Sequence, residues 1–144
     1  MKLRVLAKER HTVAAYVKER IDDHGNVTKQ ECRYYDQRES LCATNRKHEQ
    51  DCTKVQQTMD RYAASGFVRL PSDQLKSVTS PQNDIYEFKR GRVRAYCFID
   101  EESVIVVTCC LLKKDKPDKK EIEHARKVKT EYFSAKAADN IEYI

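Results

Sequence analysis

The region from Lys113 to Lys136 is dense in lysine and includes the pair Lys113-Lys114 and Lys116 beside Pro117. Clustered cations suit a polyanion better than an apolar ligand, and a solvated helix face is the competing reading. A second group with chemical potential is Cys32, Cys42, His48 and Cys52, spaced C-x9-C-x5-H-x3-C. These are four zinc-ligand types, the last two one helical turn apart. The wide first gap and the lack of a CxxC knuckle leave buried small thiols as the alternative. Cys97, Cys109 and Cys110 fall in strand-like runs and read as core or sheet-face residues. Adjacent strand residues point to opposite faces, which disfavours a Cys109–Cys110 bond. The chain has no Walker A, GxGxxG, HExxH or GxSxG motif.

These residues need elements to position them. Leu3, Val5 and Ala7 alternate with charges and predict a first strand. Val13, Val17 and Ile21, with Ala14 and Tyr16 beside them, predict an amphipathic helix over Glu9 to Ile21 that ends before His24-Gly25-Asn26. Val27 to Thr44 shows no sustained period and is expected to be a Cys-bearing insertion or long loop, at about 24–46. Helical spacing returns at His48, Cys52, Val55, Met59 and Tyr62, which predicts a helix from Asn45 to Ser65 with Gly66 as its C-cap. Phe67 to Asp84, with Pro71, Pro81 and three serines, reads as a connector with one helical turn at Ser72 to Lys76. Three strands are expected at Ile85 to Arg90, Arg92 to Ile99 and Val104 to Leu112, separated by Gly91 and by Asp100-Glu101-Glu102-Ser103 as in antiparallel hairpins. Asp118 and Glu121 form a capping-box-like start to a last helix. Ile122, Ala125, Val128, Tyr132 and Phe133 line one side of it, and His124 lies on the wet side.

The chain of 144 residues bounds the size: one domain over residues 1–144 with a real core is expected. There are 28 Lys and Arg against 23 Asp and Glu, so the net charge of +5 matters through its distribution. The N-terminus lacks the apolar run of a signal peptide, and no segment reaches the ~20 apolar residues of a membrane span. A cytoplasmic protein with reduced cysteines and no membrane partner is the expectation.

The order Ile85-Tyr86-Glu87-Phe88-Lys89-Arg90, Val93-Arg94-Ala95-Tyr96-Cys97-Phe98, an apolar strand into Leu111-Leu112-Lys113-Lys114, then Pro117-x-x-x-Glu121-Ile122-Glu123-x-Ala125 resembles the RelE/HigB superfamily, in particular its phage-derived HigB-like branch. The resemblance implies a small α+β domain: a twisted antiparallel sheet, two N-terminal helices packed on one face and a C-terminal helix. It implies a toxin of a type II toxin–antitoxin system, a ribosome-dependent mRNA endonuclease that inhibits translation. Its partners would be mRNA on the ribosome and a cognate antitoxin, of helix-turn-helix type; no small-molecule ligand and no cofactor are expected. The nucleophile would be the RNA's own 2′-hydroxyl, so the protein must orient or deprotonate it, neutralise charge on phosphorus and protonate the leaving oxygen. The resemblance assigns catalysis to Arg94, whose planar fork suits phosphate, to Lys113 and Lys114, and to Tyr132. It assigns RNA contacts to Lys89, Arg90, Lys116 and Lys129.

Each assignment has a plainer counterpart. Arg94 could pair across the sheet with Glu87, the lysines could sit at a solvated strand end, and Tyr132 shares the apolar stripe of its helix. His124 and Tyr143 are weaker acid–base candidates. The Cys-bearing stretch makes the chain longer than the usual family member, and Leu111 stands where an aromatic is common. A non-catalytic RNA- or protein-binding module on the same fold, zinc-bearing or not, is the alternative.

Overall fold

Side chains alternating between two buried faces build the centre of this protein. The computed structural model describes residues 1–101 and 103–144, with Arg69 described by its backbone only. Glu102, in the separator expected between the second and third strands of the C-terminal half, lies outside the described residues. The elements run β1 (Lys2–Lys8), β2 (Thr12–Ile21), β3 (Val27–Glu31), α1 (Arg33–Thr44), α2 (Arg46–Ser65), a 3₁₀ turn (Gly66–Arg69), β4 (Leu75–Ser77), β5 (Tyr86–Arg90), β6 (Val93–Asp100), β7 (Val104–Val107), β8 (Leu111–Leu112), α3 (Lys119–Ala137) and β9 (Glu142–Tyr143). The fold is α+β. One sheet runs β4-β5-β6-β7-β2-β1-β9, with β3 added to β2 and β8 to β6. It is mostly antiparallel; β2–β7 and β1–β9 pair in parallel.

The sheet is covered on both faces. Val13, Ala15, Val17, Phe88, Val93, Ala95 and Cys97 pack with α1 and α2 residues such as Tyr34, Val55, Met59 and Tyr62. Their neighbours in sequence, Ala14, Tyr96 and Phe98, pack on the opposite face with Ile122, Ala125, Val128 and Tyr132 of α3. A strand buried on both faces reads as a near-continuous apolar run, as β6 and β7 do.

The expected helix over Glu9 to Ile21 is instead β2. Val13, Val17 and Ile21 are four residues apart, a spacing that keeps side chains on one face of a helix and equally on one face of a strand. Ala14 and Tyr16 decide between the two, because they go to the α3 side while Val13, Ala15 and Val17 go to the other. His24-Gly25-Asn26 closes the β2–β3 hairpin, where Asp22 Oδ1 accepts from the N–H groups of His24 and Asn26 and Gly25 adopts φ +81°. The helical pair on one face is therefore α1 and α2, both placed after three strands.

The expected loop from Val27 to Thr44 carries β3 and α1. Among α1 residues only Tyr34 is buried, so the helix has almost no apolar stripe for its sequence to reveal. In the expected connector, the helical turn expected over Ser72 to Lys76 is a turn at Ser72–Gln74 only, and Leu75 and Lys76 belong to β4, which pairs with β5 at Lys76–Glu87.

The expected strand Val104 to Leu112 breaks after Val107. Cys97 faces Val107 whereas Arg94 faces Leu111, so four steps along this segment match three along β6. The extra residue is a bulge, and it reverses which face the following side chains take.

The other expected elements are present. Asn45 caps α2 through Lys47 N, Gly66 ends it at φ +65°, and Asp118 Oδ1 accepts from Glu121 N at the start of α3.

Candidate functional site

Alternation along β4, β5 and β6 brings one set of polar side chains to the sheet face beyond the end of α3. Lys76, Glu87, Lys89, Arg94 and Tyr96 share that face, and the bulge adds Leu111 and the Lys113–Pro117 segment. Together they line a cleft of about 440 Å³ containing Lys76, Lys89, Arg94, Lys113, Lys114 and Lys116 around a single buried carboxylate, Glu87.

Arg94 lies at the floor, 5% exposed. Its Nη1 donates to Gly91 O at 2.8 Å and Val93 O at 3.0 Å, and its Nε lies 3.8 Å from Glu87 Oε1. Nη2 has no partner among the described residues. Lys89 stands directly opposite Arg94 in the β5–β6 register. Like charges in that position destabilise a sheet unless an anion joins them. Lys76 and then Arg94 push the Lys89 ammonium below its ordinary pKa.

Burial raises the Glu87 carboxyl above the usual range, and Arg94, Lys76 and Lys89 pull it back only in part. A carboxyl shifted in this direction, inside a cationic cleft, has the properties of a proton acceptor or donor. Tyr96 forms the wall towards α3. Its hydroxyl accepts from Asp118 N at 2.9 Å, and burial raises its pKa.

The expected site residues divide. Arg94, Lys89, Lys113, Lys114 and Lys116 meet in the cleft. Lys113 and Lys116 are exposed; Lys114 is ion-paired with Asp118, which raises its pKa. Arg90 goes to the other face of β5, where Nη1 donates to Thr58 Oγ1 on α2 at 3.0 Å. Lys129 reaches Asp84 O at 3.4 Å, outside the cleft. Tyr132 is 2% exposed and donates to Asp100 Oδ2 at 2.7 Å. Asp100 lies six residues beyond Arg94 on β6, roughly 20 Å away at strand rise. Tyr143 is in the terminal strand β9.

His124 is half-buried rather than fully on the wet face. Its ring packs edge-on to Tyr16 with centroids 6.2 Å apart, Nε2 is buried without a partner, and burial lowers its pKa. It borders a separate cleft with Tyr16 and Arg33.

Lys76, Glu87 and Tyr96 are the members that sequence reasoning did not select. The period-2 pattern that places Lys89 and Arg94 on one face places Glu87 and Tyr96 there too, so that signal was readable. Lys76 sits in a three-residue strand among serines and prolines, too short to show a period.

The zinc-like set does not converge. Cys32 precedes α1 and Cys42 is in its last turn, roughly 15 Å apart at helical rise. Among the described residues no group of three His, Cys, Asp or Glu side chains is arranged to hold a metal ion, and no helix is long and apolar enough to cross a membrane. No protein-family model matches the chain, and no curated protein matches it either.

Proposed function

We propose that the chain is a RelE/HigB-like toxin of a type II toxin–antitoxin system: a cytoplasmic endoribonuclease that cuts mRNA on the ribosome and thereby inhibits translation. The observation that carries this reading is the Lys89–Arg94 pair held in register at the floor of a lysine-lined cleft around Glu87. Like charges directly opposite on adjacent strands cost stability, Glu87 is the one buried carboxylate set against them, and a phosphodiester offsets that cost.

In this reading the scissile phosphate sits against Arg94 Nη2 and Lys113, with Lys114 and Lys116 on the flanking backbone and Lys76 and Lys89 on the other side. Glu87, its carboxyl raised by burial, takes the proton of the 2′-hydroxyl, which attacks phosphorus. The cations hold the extra negative charge of the transition state. A cyclic phosphate forms and the 5′-oxygen leaves; Tyr96 or a lysine of the cleft supplies its proton. Tyr132, Arg90 and Lys129 take no part. A cognate antitoxin, expected to be a helix-turn-helix protein, would keep the toxin silent.

The test is induced expression together with primer extension on translating ribosomes. Growth arrest and cleavage are expected from the natural chain, and neither from the Arg94→Ala, Lys113→Ala double variant. Undiminished toxicity in that variant removes the site assignment. A second reading, an RNA-binding module without cleavage, is favoured by the burial of Arg94 and its bonds to Gly91, Val93 and Glu87. It predicts RNA binding but neither arrest nor cleavage.

A further inference from the structure

The segment Leu111–Lys114 borders two spaces at once. It lines the cationic cleft, and it lines a groove of about 630 Å³ against α1, where Asp36, Gln37, Ser40, Leu41 and Cys110 complete the walls. The width of one strand, about 4.8 Å, is a span that a single nucleotide covers from phosphate to base. Leu41, Leu111 and Leu112, all half-buried, give the groove an apolar lining that suits the flat face of a nucleobase. Two polar side chains, consecutive on α1, give it groups that can read a base edge. Gln37 Oε1 accepts the Cys110 N–H at 2.8 Å. A backbone N–H can only donate, so this bond fixes how the amide is turned. Its own N–H groups have no partner among the described residues and are left as donors. Asp36 is exposed, and its carboxylate, an acceptor, has no hydrogen bond or ion pair among the described residues.

We propose that this groove is a base-reading subsite of the cleft and takes a guanine of the bound strand; the inference rests on the RNA reading of the cleft. With a phosphate on Lys113 and Lys114, the base of the attached nucleotide enters between α1 and Leu111-Leu112. Guanine carries an acceptor, O6, beside two donors, N1–H and the N2 amino group, on one edge. The Gln37 N–H groups donate to O6, and the Asp36 carboxylate accepts from N1 and N2. Adenine has the same shape and the opposite edge. It turns an amino donor towards the Gln37 donors and a ring acceptor towards the Asp36 carboxylate, so both meetings are unfavourable. A glutamine with both amide groups free favours adenine through N6 and N7, but the Cys110 N–H holds the oxygen that this contact needs. Pyrimidines cover less of the apolar lining.

The experiment measures, by fluorescence anisotropy, the binding of two labelled 2′-O-methyl RNA pentamers, AAGAA and AAAAA, to the full chain over a range of salt. The methyl groups remove the nucleophile, so cleavage does not enter. AAGAA should bind about tenfold tighter than AAAAA. The double variant Asp36→Asn, Gln37→Glu exchanges donor and acceptor at unchanged net charge and keeps an acceptor for the Cys110 N–H. It should bind AAAAA the tighter of the two, with the salt dependence of the natural chain. Asp36→Asn alone, a change at an exposed position, should lower the guanine preference about threefold. Salt-dependent binding with equal affinities, a preference for AAAAA in the natural chain, or a ratio that the variants leave unchanged overturns the subsite and leaves the RNA reading standing. Absent or salt-independent binding of both pentamers removes that reading and the subsite with it.

Discussion

Glu87 and Tyr132 are both suited by type to proton transfer, and their surroundings separate them. Glu87 is buried among cations in the cleft and its carboxyl is raised by that burial. A carboxyl whose folded pKa exceeds its unfolded one contributes stability at low pH that is lost as pH rises through the unfolded and then the folded value. Near neutrality its charge therefore opposes folding. Glu87→Gln is expected to lower ribosome-dependent cleavage about 100-fold or more while the melting temperature at pH 7 holds or rises. Tyr132 instead satisfies Asp100, a carboxylate 3% exposed that Lys136 also reaches at 2.8 Å. Tyr132→Phe leaves that buried acceptor short of a donor, at about 1–3 kcal/mol by denaturant melts, with cleavage unchanged. If Tyr132→Phe abolished cleavage at full stability, the division between the two residues would be wrong.

At the scale of elements, the β5–β6 hairpin carries the site and α2 holds the hairpin. Asp51, on α2 and 2% exposed, accepts the Arg92 N–H at 3.0 Å, and Gly91 turns the chain at φ +53°. A Cβ at Gly91 would meet the Asp51 carboxylate at 2.3 Å. Gly91→Ala combines that clash with a left-handed backbone and should cost about 1–3 kcal/mol in chemical denaturation. Because Gly91 O also accepts from Arg94, cleavage should fall with it.

Helix α3 is tied to the segment before β5 by Arg126 and Asp84, at 2.8 and 3.3 Å. Arg126 holds the Asp84 carboxyl at about 2, against an ordinary 3.8. A depressed carboxyl contributes stability above its unfolded pKa, lost as pH falls through the folded value, so this contribution fades between about pH 4 and pH 2. Both side chains are partly exposed, so Arg126→Ala should cost at most about 1 kcal/mol at pH 7. It should return the Asp84 titration, followed by NMR, to the ordinary range. An unchanged titration would show that the pair does not form in solution.

Over the whole molecule, a net charge of +5 is a weak field, and its concentration in one cleft gives it effect. Binding of single-stranded RNA should weaken with salt at a log–log slope of about −0.7 per phosphate engaged. The Arg94→Ala, Lys113→Ala variant should flatten that slope by about 1 to 1.5. A slope unaffected by the double variant would place the RNA on another surface.

Local signals in the sequence determined the first strand, α2 with its Asn45 and Gly66 ends, the hairpin around Gly91 and the capped α3, because each carries its own period and terminator. The cations of the cleft were legible as a lysine-rich stretch after an arginine-bearing strand. Only the tertiary structure decided that Thr12–Ile21 is a strand, because a four-residue spacing serves both periods and burial on both faces breaks the tie. It also decided that Arg90 turns away to Thr58, that Lys76 and Glu87 join the cleft, and that Tyr132 serves Asp100. Those outcomes depend on register and on the bulge between β7 and β8. One residue of slip moves a side chain to the opposite face, and that choice is made between strands rather than within any one of them.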